Sequence, residues 1–254
     1  MKIISVNVNG IRAAEKKGLF HWLESQEADV VCLQEVRAQE HQYSQSSFHP
    51  EGYTSWFHNA QKKGYSGVSI YAKKQPDQLV VKLGNQEIDD EGRYLRADFG
   101  SLSVVSVYLP SGSSGDDKQA KKIRFMRFFE ELMADMLASK RSFILCGDWN
   151  IAHKKIDIKN WRANQTRSGF LPEEREWMDQ LFEQGWVDAF RVRNQQAEQY
   201  TWWSNRGKAW ENNTGWRIDY QIVTPDLKNC ISEVSVYKDE RFSDHSPLII
   251  DYVF

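Results

Sequence analysis

Short apolar runs that stop at polar residues recur along the chain, and their spacing predicts alternating strands and helices. Residues 3–8 read as a buried strand and 29–34 as a second one. Between them, 12–25 reads as a helix with Leu19, Phe20, Trp22 and Leu23 on one side. Strand, helix, strand in that order predicts a crossover pair packed on a helix. Residues 53–58 and 67–72 alternate as two strands joined by the turn QKKGYS, and 79–83, 94–99 and 102–107 read as further strands. A long helix is predicted over 118–137, with Ile123, Met126, Phe129, Leu132, Met133 and Met136 as its core stripe. Lys121, Lys122, Arg124 and Arg127 fall mostly off that stripe and read as a solvated face, a phosphate grip being the alternative.

The next run, FILCGDWN (143–150), delivers Asp148 and Asn150 at alternate positions after an apolar strand. Residues two apart on a strand point the same way, so the two side chains leave the sheet edge together. A polar turn would read the same way locally. A loop rich in Asn, Lys and Arg follows over 151–170, and loops of that length inside a compact domain tend to carry function. Pro172, Glu173 and Glu174 start a helix through Phe182. Residues 200–203 form an aromatic strand, 216–223 (WRIDYQIV) carry Asp219 inside an apolar strand, and RFSDHSP precedes a closing strand at 248–252.

The same event therefore repeats at Asn7, Asn9, Glu35, Tyr108, Asp148, Asn150, Asp219, Asp244 and His245: a metal-competent or polar side chain ends or interrupts a buried strand. Each alone has an ordinary explanation, such as a rim salt bridge for Glu35 or a sheet-edge aromatic for Tyr108. Together they predict one shared site, because α/β sheets collect ligand groups at one strand edge. Carboxylates and amides without cysteine clusters suit a hard cation, magnesium or manganese, whose partners are oxygen ligands and phosphate. A histidine beside them can act as a base or stabilise developing charge, which points to metal-assisted hydrolysis of a phosphate ester.

Composition changes this picture little. A net charge of −2 gives no global basic field, so any nucleic-acid surface must be local. Three widely separated cysteines suggest reduced core thiols and a cytoplasmic protein rather than a disulfide framework. The opening MKIISVNVNG reads as a strand, and no run of roughly eighteen apolar residues occurs, so neither export nor a membrane is expected. No linker or repeat divides the 254 residues, which are expected to form a single domain.

Eight collinear motifs, ISVNVNGIRA, VVCLQEVR, GYSGVSIYAK, VYLPSG, GDWNIAH, SGFLPEEREWMD, GWRIDY and SDHSPLI, resemble bacterial exonuclease III and the apurinic/apyrimidinic endonucleases over essentially the full chain. The resemblance implies an α/β fold, a four-layer sandwich of two packed, mainly antiparallel sheets flanked by helices. It also implies cleavage of DNA phosphodiesters 5′ to abasic sites and trimming of 3′ ends, by a monomer acting on double-stranded DNA with Mg²⁺ or Mn²⁺. By the same resemblance Asn7, Glu35, Asp148, Asn150, Asp244 and His245 form the metal site. Asp148 is then the general acid or base, Asn150 and Tyr108 hold the phosphate, and Asp219 orients His245. Asn9, Trp202 and Trp216 would touch substrate, the tryptophans as a wall for a flipped abasic sugar, with sheet packing as the alternative.

Two positions depart from the pattern. Ser111 stands where relatives place Asn or Gln, which puts one phosphate contact in doubt, and Asn9 stands where eukaryotic relatives carry Asp. The KNWR loop and the run from WW to DYQ also resemble the catabolite repression control family of pseudomonads, which implies an RNA-associated regulatory role as the alternative. A phosphatase of small or lipid phosphates is a third reading, against which the GFLPEEREWMD motif and the tryptophans argue.

Overall fold

The computed structural model describes residues 1–254. Its first half runs β1 (Lys2–Asn7), α1 (Ile11–Lys16), α2 (Leu19–Gln26), β2 (Val30–Gln34), β3 (Thr54–His58), β4 (Val68–Ala72), β5 (Gln78–Val80), α3 (Gln86–Asp90), β6 (Tyr94–Phe99) and β7 (Leu102–Tyr108). The second half continues with α4 (Asp116–Ala138), β8 (Ser142–Asp148), α5 (Trp161–Asn164), α6 (Pro172–Glu183), β9 (Val187–Asp188) and α7 (Ala189–Arg193). It closes with β10 (Trp202–Trp203), β11 (Gly215–Trp216), β12 (Asp219–Val223), β13 (Ile231–Val236) and β14 (Leu248–Tyr252).

Two six-stranded sheets result, ordered β13-β14-β1-β2-β4-β3 and β5-β6-β7-β8-β12-β9, with β10-β11 as a separate ribbon. Each large sheet has one parallel pair, β1 with β2 and β7 with β8, and is otherwise antiparallel. The period-two alternation of the strands divides the apolar residues into layers. Ile3, Val30, Ile70, Val104 and Ile144 meet between the sheets. Ile4, Val6, Val31 and Leu33 face the other way onto Leu19, Phe20 and Leu23 of α2. Val105, Val107 and Leu145 face Phe125, Phe129 and Met133 of α4 and Trp177 and Leu181 of α6. Helix, sheet, sheet, helix is the four-layer α/β sandwich that the resemblance implied.

The inward-facing residues change character along each strand. Ile3, Ser5 and Asn7 pair in register with Val30, Cys32 and Gln34. In the other sheet Val104, Ser106 and Tyr108 pair with Ile144, Cys146 and Asp148, which pair in turn with Val223, Gln221 and Asp219. All fifteen are buried. The layer between the sheets thus runs from aliphatic at one end, through small or amide side chains, to carboxylate, amide and phenol at the other. Hydrogen bonds such as Gln34 Nε2 to Ser106 Oγ, 3.1 Å, satisfy the middle, as buried polar groups require.

Some expectations are corrected. The helix expected over 12–25 is two, because Gly18 takes a left-handed φ of 86° between α1 and α2. The strand expected at 79–83 shortens to β5, and 216–223 breaks at Arg217 and Ile218, so that β11 pairs with β10 while Asp219 opens β12 in the large sheet. Lys122, expected on a solvated face, is fully buried.

Candidate active site

The polar end of the inter-sheet layer is the candidate site. β1, β2 and β8 each run into a residue with left-handed backbone at or just beyond the strand end: Asn9 (φ 45°), Glu35 (φ 57°) and Asn150 (φ 53°). Such conformations cost about 1–3 kcal/mol each in non-glycine residues and persist where the surroundings enforce them. Here they turn the chain sharply enough to keep these side chains at the strand ends.

Asn7 links the two sheets. Its Nδ2 donates to Glu35 Oε2 at 2.9 Å and to Asp148 Oδ2 at 2.8 Å, and its Oδ1 accepts from the Asn9 amide at 2.9 Å. Asp148 Oδ1 accepts from the Asn150 amide at 2.8 Å, and Asn150 Nδ2 donates to the Leu109 carbonyl at 2.9 Å. His245 Nδ1 lies 2.8 Å from Asp219 Oδ2, and its Nε2 lies 3.8 Å from Asp148 Oδ2. Asp244, the neighbour of His245, accepts from Asn9 Nδ2 at 2.8 Å and from Trp202 Nε1 at 3.0 Å. Tyr108 pairs in register with Asp148 and lies under the Arg93 guanidinium, 4.8 Å from its ring centroid. Every strand-end residue singled out in the sequence therefore converges here.

The electrostatics follow from burial. Loss of water raises the Asp148 carboxyl above its ordinary range and Asp219 adds to this, against the opposing pull of His245. Burial opposes the charged form of His245, but Asp219 and Asp148 outweigh it and raise the imidazole above its ordinary value. Tyr108 is pushed well above the usual phenol range by burial and by Glu35 and Asp148, so it remains an O–H donor.

The residues fit a divalent cation. Asp148, Asp219 and His245 bring ligand atoms within 4.8 Å of one another, and Asp219 Oδ1 is buried with no hydrogen-bond partner. Glu35 and Asp244 add two more carboxylates, while each nearby cation already has an acidic partner: Arg37 has Glu35, His245 has Asp219, Arg93 has Glu91 and Lys122 has Glu174. Excess buried negative charge of this kind is costly unless a cation offsets it. Glu35 is both a rim salt bridge and a member of the site, so the two readings of it do not compete.

Trp202 stands beside Asp244 and meets Trp216, their ring centroids 6.0 Å apart and nearly perpendicular. They pack on a small cluster of Ala152, Ile158 and Phe170 from the 151–170 loop and Ile218 from the break between β11 and β12. Gly169 (φ 93°) lies under Trp216, where a Cβ would approach the ring to 2.9 Å. The loop is anchored by Asp157, which accepts from Arg217 Nε at 2.8 Å and Arg191 Nη2 at 2.5 Å.

The expected basic surfaces differ in availability. On α4, Lys121 pairs with Glu91, Lys122 with Glu174 and Arg124 with Glu87, while Arg127 is exposed and makes no ion pair. In the loop, Lys154 and Lys159 are paired, but Arg162 and Arg167 are exposed and make no ion pair, and Lys155 and Arg162 flank the Trp161 ring. Sequence reasoning missed Arg37, Arg93, Arg217 and the Lys122–Glu174 pair. Arg217 and Lys122 find their partners, Asp157, Asp188 and Glu174, on distant segments, and only the WRID context of Arg217 pointed to it; Arg37 and Arg93 pair just two residues away, with Glu35 and Glu91, which the alternation of apolar positions does not register.

Two carboxylate-bearing strand ends from facing sheets, a histidine–aspartate pair and a hard-cation donor set define a phosphoesterase-type centre. Residues 4–245 match the Endonuclease/Exonuclease/phosphatase family, and the chain belongs to that family, whose members are metal-dependent. It is 40% identical over 253 residues to an exodeoxyribonuclease of Bacillus subtilis (strain 168), covering 98% of each chain. It is 34% identical to the DNA repair nuclease APEX1 of Danio rerio, covering 98% of this chain and 81% of that one. Among solved structures, an AP endonuclease from Archaeoglobus fulgidus superposes with a TM-score of 0.88 at 27% identity, covering both chains fully.

Proposed function

We propose that residues 1–254 form one domain that works as a monomeric, cytoplasmic DNA repair nuclease, hydrolysing the phosphodiester 5′ to an abasic site and trimming 3′ ends, with Mg²⁺ or Mn²⁺. The observation that carries this reading is the Asn7 amide, which holds Glu35 and Asp148 from opposite sheets beside the His245–Asp219 pair. The relatives named above are nucleases of DNA, and the 98% coverage of the Bacillus chain supports carrying that activity over. No helix is long and apolar enough to cross a membrane.

A cation held by Glu35 and Asp148, with Asn7, Asn150 and Asp244 around it, would polarise a phosphate oxygen and offset its charge. Asp148 takes the proton of the attacking water or returns one to the leaving 3′ oxygen, as a new water oxygen–phosphorus bond forms and the phosphorus–O3′ bond breaks. Asn7 fixes the Asp148 oxygen for that transfer. His245, kept charged by Asp219, donates from Nε2 to the phosphate, and Tyr108 and Asn150 donate beside it. Trp202 and Trp216 form the wall against which a base-less sugar is received, while Asn9 holds Asp244 in place.

The intact set of Glu35, Asp148, Asn150, Asp244 and His245 leaves the RNA-associated regulatory reading without a supporting observation. The test is a labelled duplex carrying one abasic analogue: the reading expects a cut 5′ to the analogue with magnesium and none after chelation. Intact duplex under both conditions would contradict it.

A further inference from the structure

Lys122 and Glu174, both fully buried, lie behind the site rather than in it. Lys122 Nζ donates to Glu174 Oε1 at 2.6 Å and to the Asn150 carbonyl at 2.8 Å. Glu174 Oε1 also accepts from Gln119 Nε2 at 3.0 Å and, at 3.3 Å, from Ser168 Oγ. Its Oε2 accepts from the backbone amides of Gly169, 2.6 Å, and Leu171, 3.1 Å. The pair thus grips two backbone segments. One is Asn150, whose left-handed φ of 53° turns its amide and side chain to Asp148. The other is Gly169, the floor under Trp216, whose carbonyl accepts from the Ala152 amide at 2.8 Å.

We propose that Lys122 and Glu174 act as a positioning clamp that ties the phosphate-holding end of β8 to the Trp216 wall, so that both move as one unit. Burying an ion pair this completely is a poor way to gain stability, since a well-packed apolar pair of the same volume does as well or better. What an apolar pair could not do is hold one carbonyl and two amides in fixed directions. Lys122 supplies the donor that keeps the Asn150 carbonyl turned away from the site, and Glu174 supplies the acceptors that keep the Gly169 segment close behind it. The clamp rests on the nuclease reading for its consequence, though not for its existence.

The test uses the full chain with Lys122→Met and Glu174→Gln, singly and together, and Lys122→Arg as the conservative control. Each single substitution leaves a charge buried without its partner and lowers the melting temperature; the double variant removes both charges and recovers much of that loss. A merely structural pair would recover activity along with stability. The clamp predicts otherwise: the double variant keeps kcat at least tenfold below the unsubstituted chain on an abasic duplex, with KM within about threefold. Lys122→Arg retains kcat within about threefold. Faster exchange of the Ala152 amide hydrogen in the double variant reports the loosened segment directly. A double variant with unsubstituted kcat would overturn the clamp. If the unsubstituted chain cuts no DNA, the nuclease reading falls, and the exchange rate alone decides: faster exchange supports the clamp and unchanged exchange overturns it.

Discussion

Asn7 Nδ2 donates to Asp148 Oδ2 at 2.8 Å although Asn7 ends a strand of one sheet and Asp148 a strand of the other. The bond closes the polar end of a layer whose opposite end, from Ile3 to Ile144, is aliphatic. A site built this way has its rigidity supplied by the packing of both sheets, and its charges are held where water is scarce.

The His245–Asp219 contact governs the pH range of activity. Asp219 and Asp148 raise the imidazole above its ordinary value, so Asp219→Asn should lower it, and the alkaline limb of the kcat/KM profile should move down by at least one pH unit. For stability the sign is fixed by the same shift. A raised folded value contributes stability present below the unfolded histidine value and lost as pH rises through the folded one. Histidine ring titration by NMR checks both, and an unchanged ring titration in Asp219→Asn would contradict the pairing.

Asp157 works in the opposite direction. Burial raises its carboxyl, but Arg217 and then Arg191 outweigh this and hold it down at about 2. A depressed folded value contributes stability above the unfolded aspartate value, and that stability is lost as pH falls from about 4 to about 2, roughly 2 kcal/mol in all. Asp157→Asn should therefore be less stable at neutral pH, by about 3 kcal/mol, and flatter across the acid range. Urea unfolding at pH 7 and pH 3 reads both quantities.

Glu35 is a partly exposed carboxylate of the site, held by Asn7 and Arg37. Replacing it with Gln removes a charge that the cation would neutralise. The magnesium concentration for half-maximal cleavage should rise about tenfold or more. A titration that superposes on that of the unsubstituted chain would remove Glu35 from the cation site.

Trp216 rests on Gly169 and meets Trp202 edge to face. Trp216→Ala should reduce abasic-site cleavage about tenfold while hydrolysis of a simple phosphate diester changes less, because only the former needs the wall. Equal losses on the two substrates would assign the ring to packing alone.

Most of the strands and every strand-end residue were legible in the sequence, because period-two alternation identifies an inward face and the polar residues interrupt it at a fixed end. That the strands divide between two facing sheets was implied by resemblance and could not follow from alternation, since pairing between β1 and β14 spans nearly the whole chain. The buried role of Lys122 was hidden for a related reason. Its helical position is polar in isolation, and Glu174, delivered by another helix, together with the Asn150 carbonyl makes burial tolerable. The split around Arg217 was likewise set by tertiary partners, since Arg217 turns inward to Asp157 and Asp188, whereas the break at Gly18 is local, a left-handed glycine inside an apolar pattern that continues across it.

The rate of a single substitution bears most directly on the whole account. Asp148→Asn keeps the shape and loses the proton-accepting carboxylate at the junction of the two sheets. Single-turnover cleavage of an abasic duplex in saturating magnesium should fall about a thousandfold, with the melting temperature preserved. Cleavage at the rate of the unsubstituted chain would mean that the proton moves elsewhere and that this cluster is not the reacting centre.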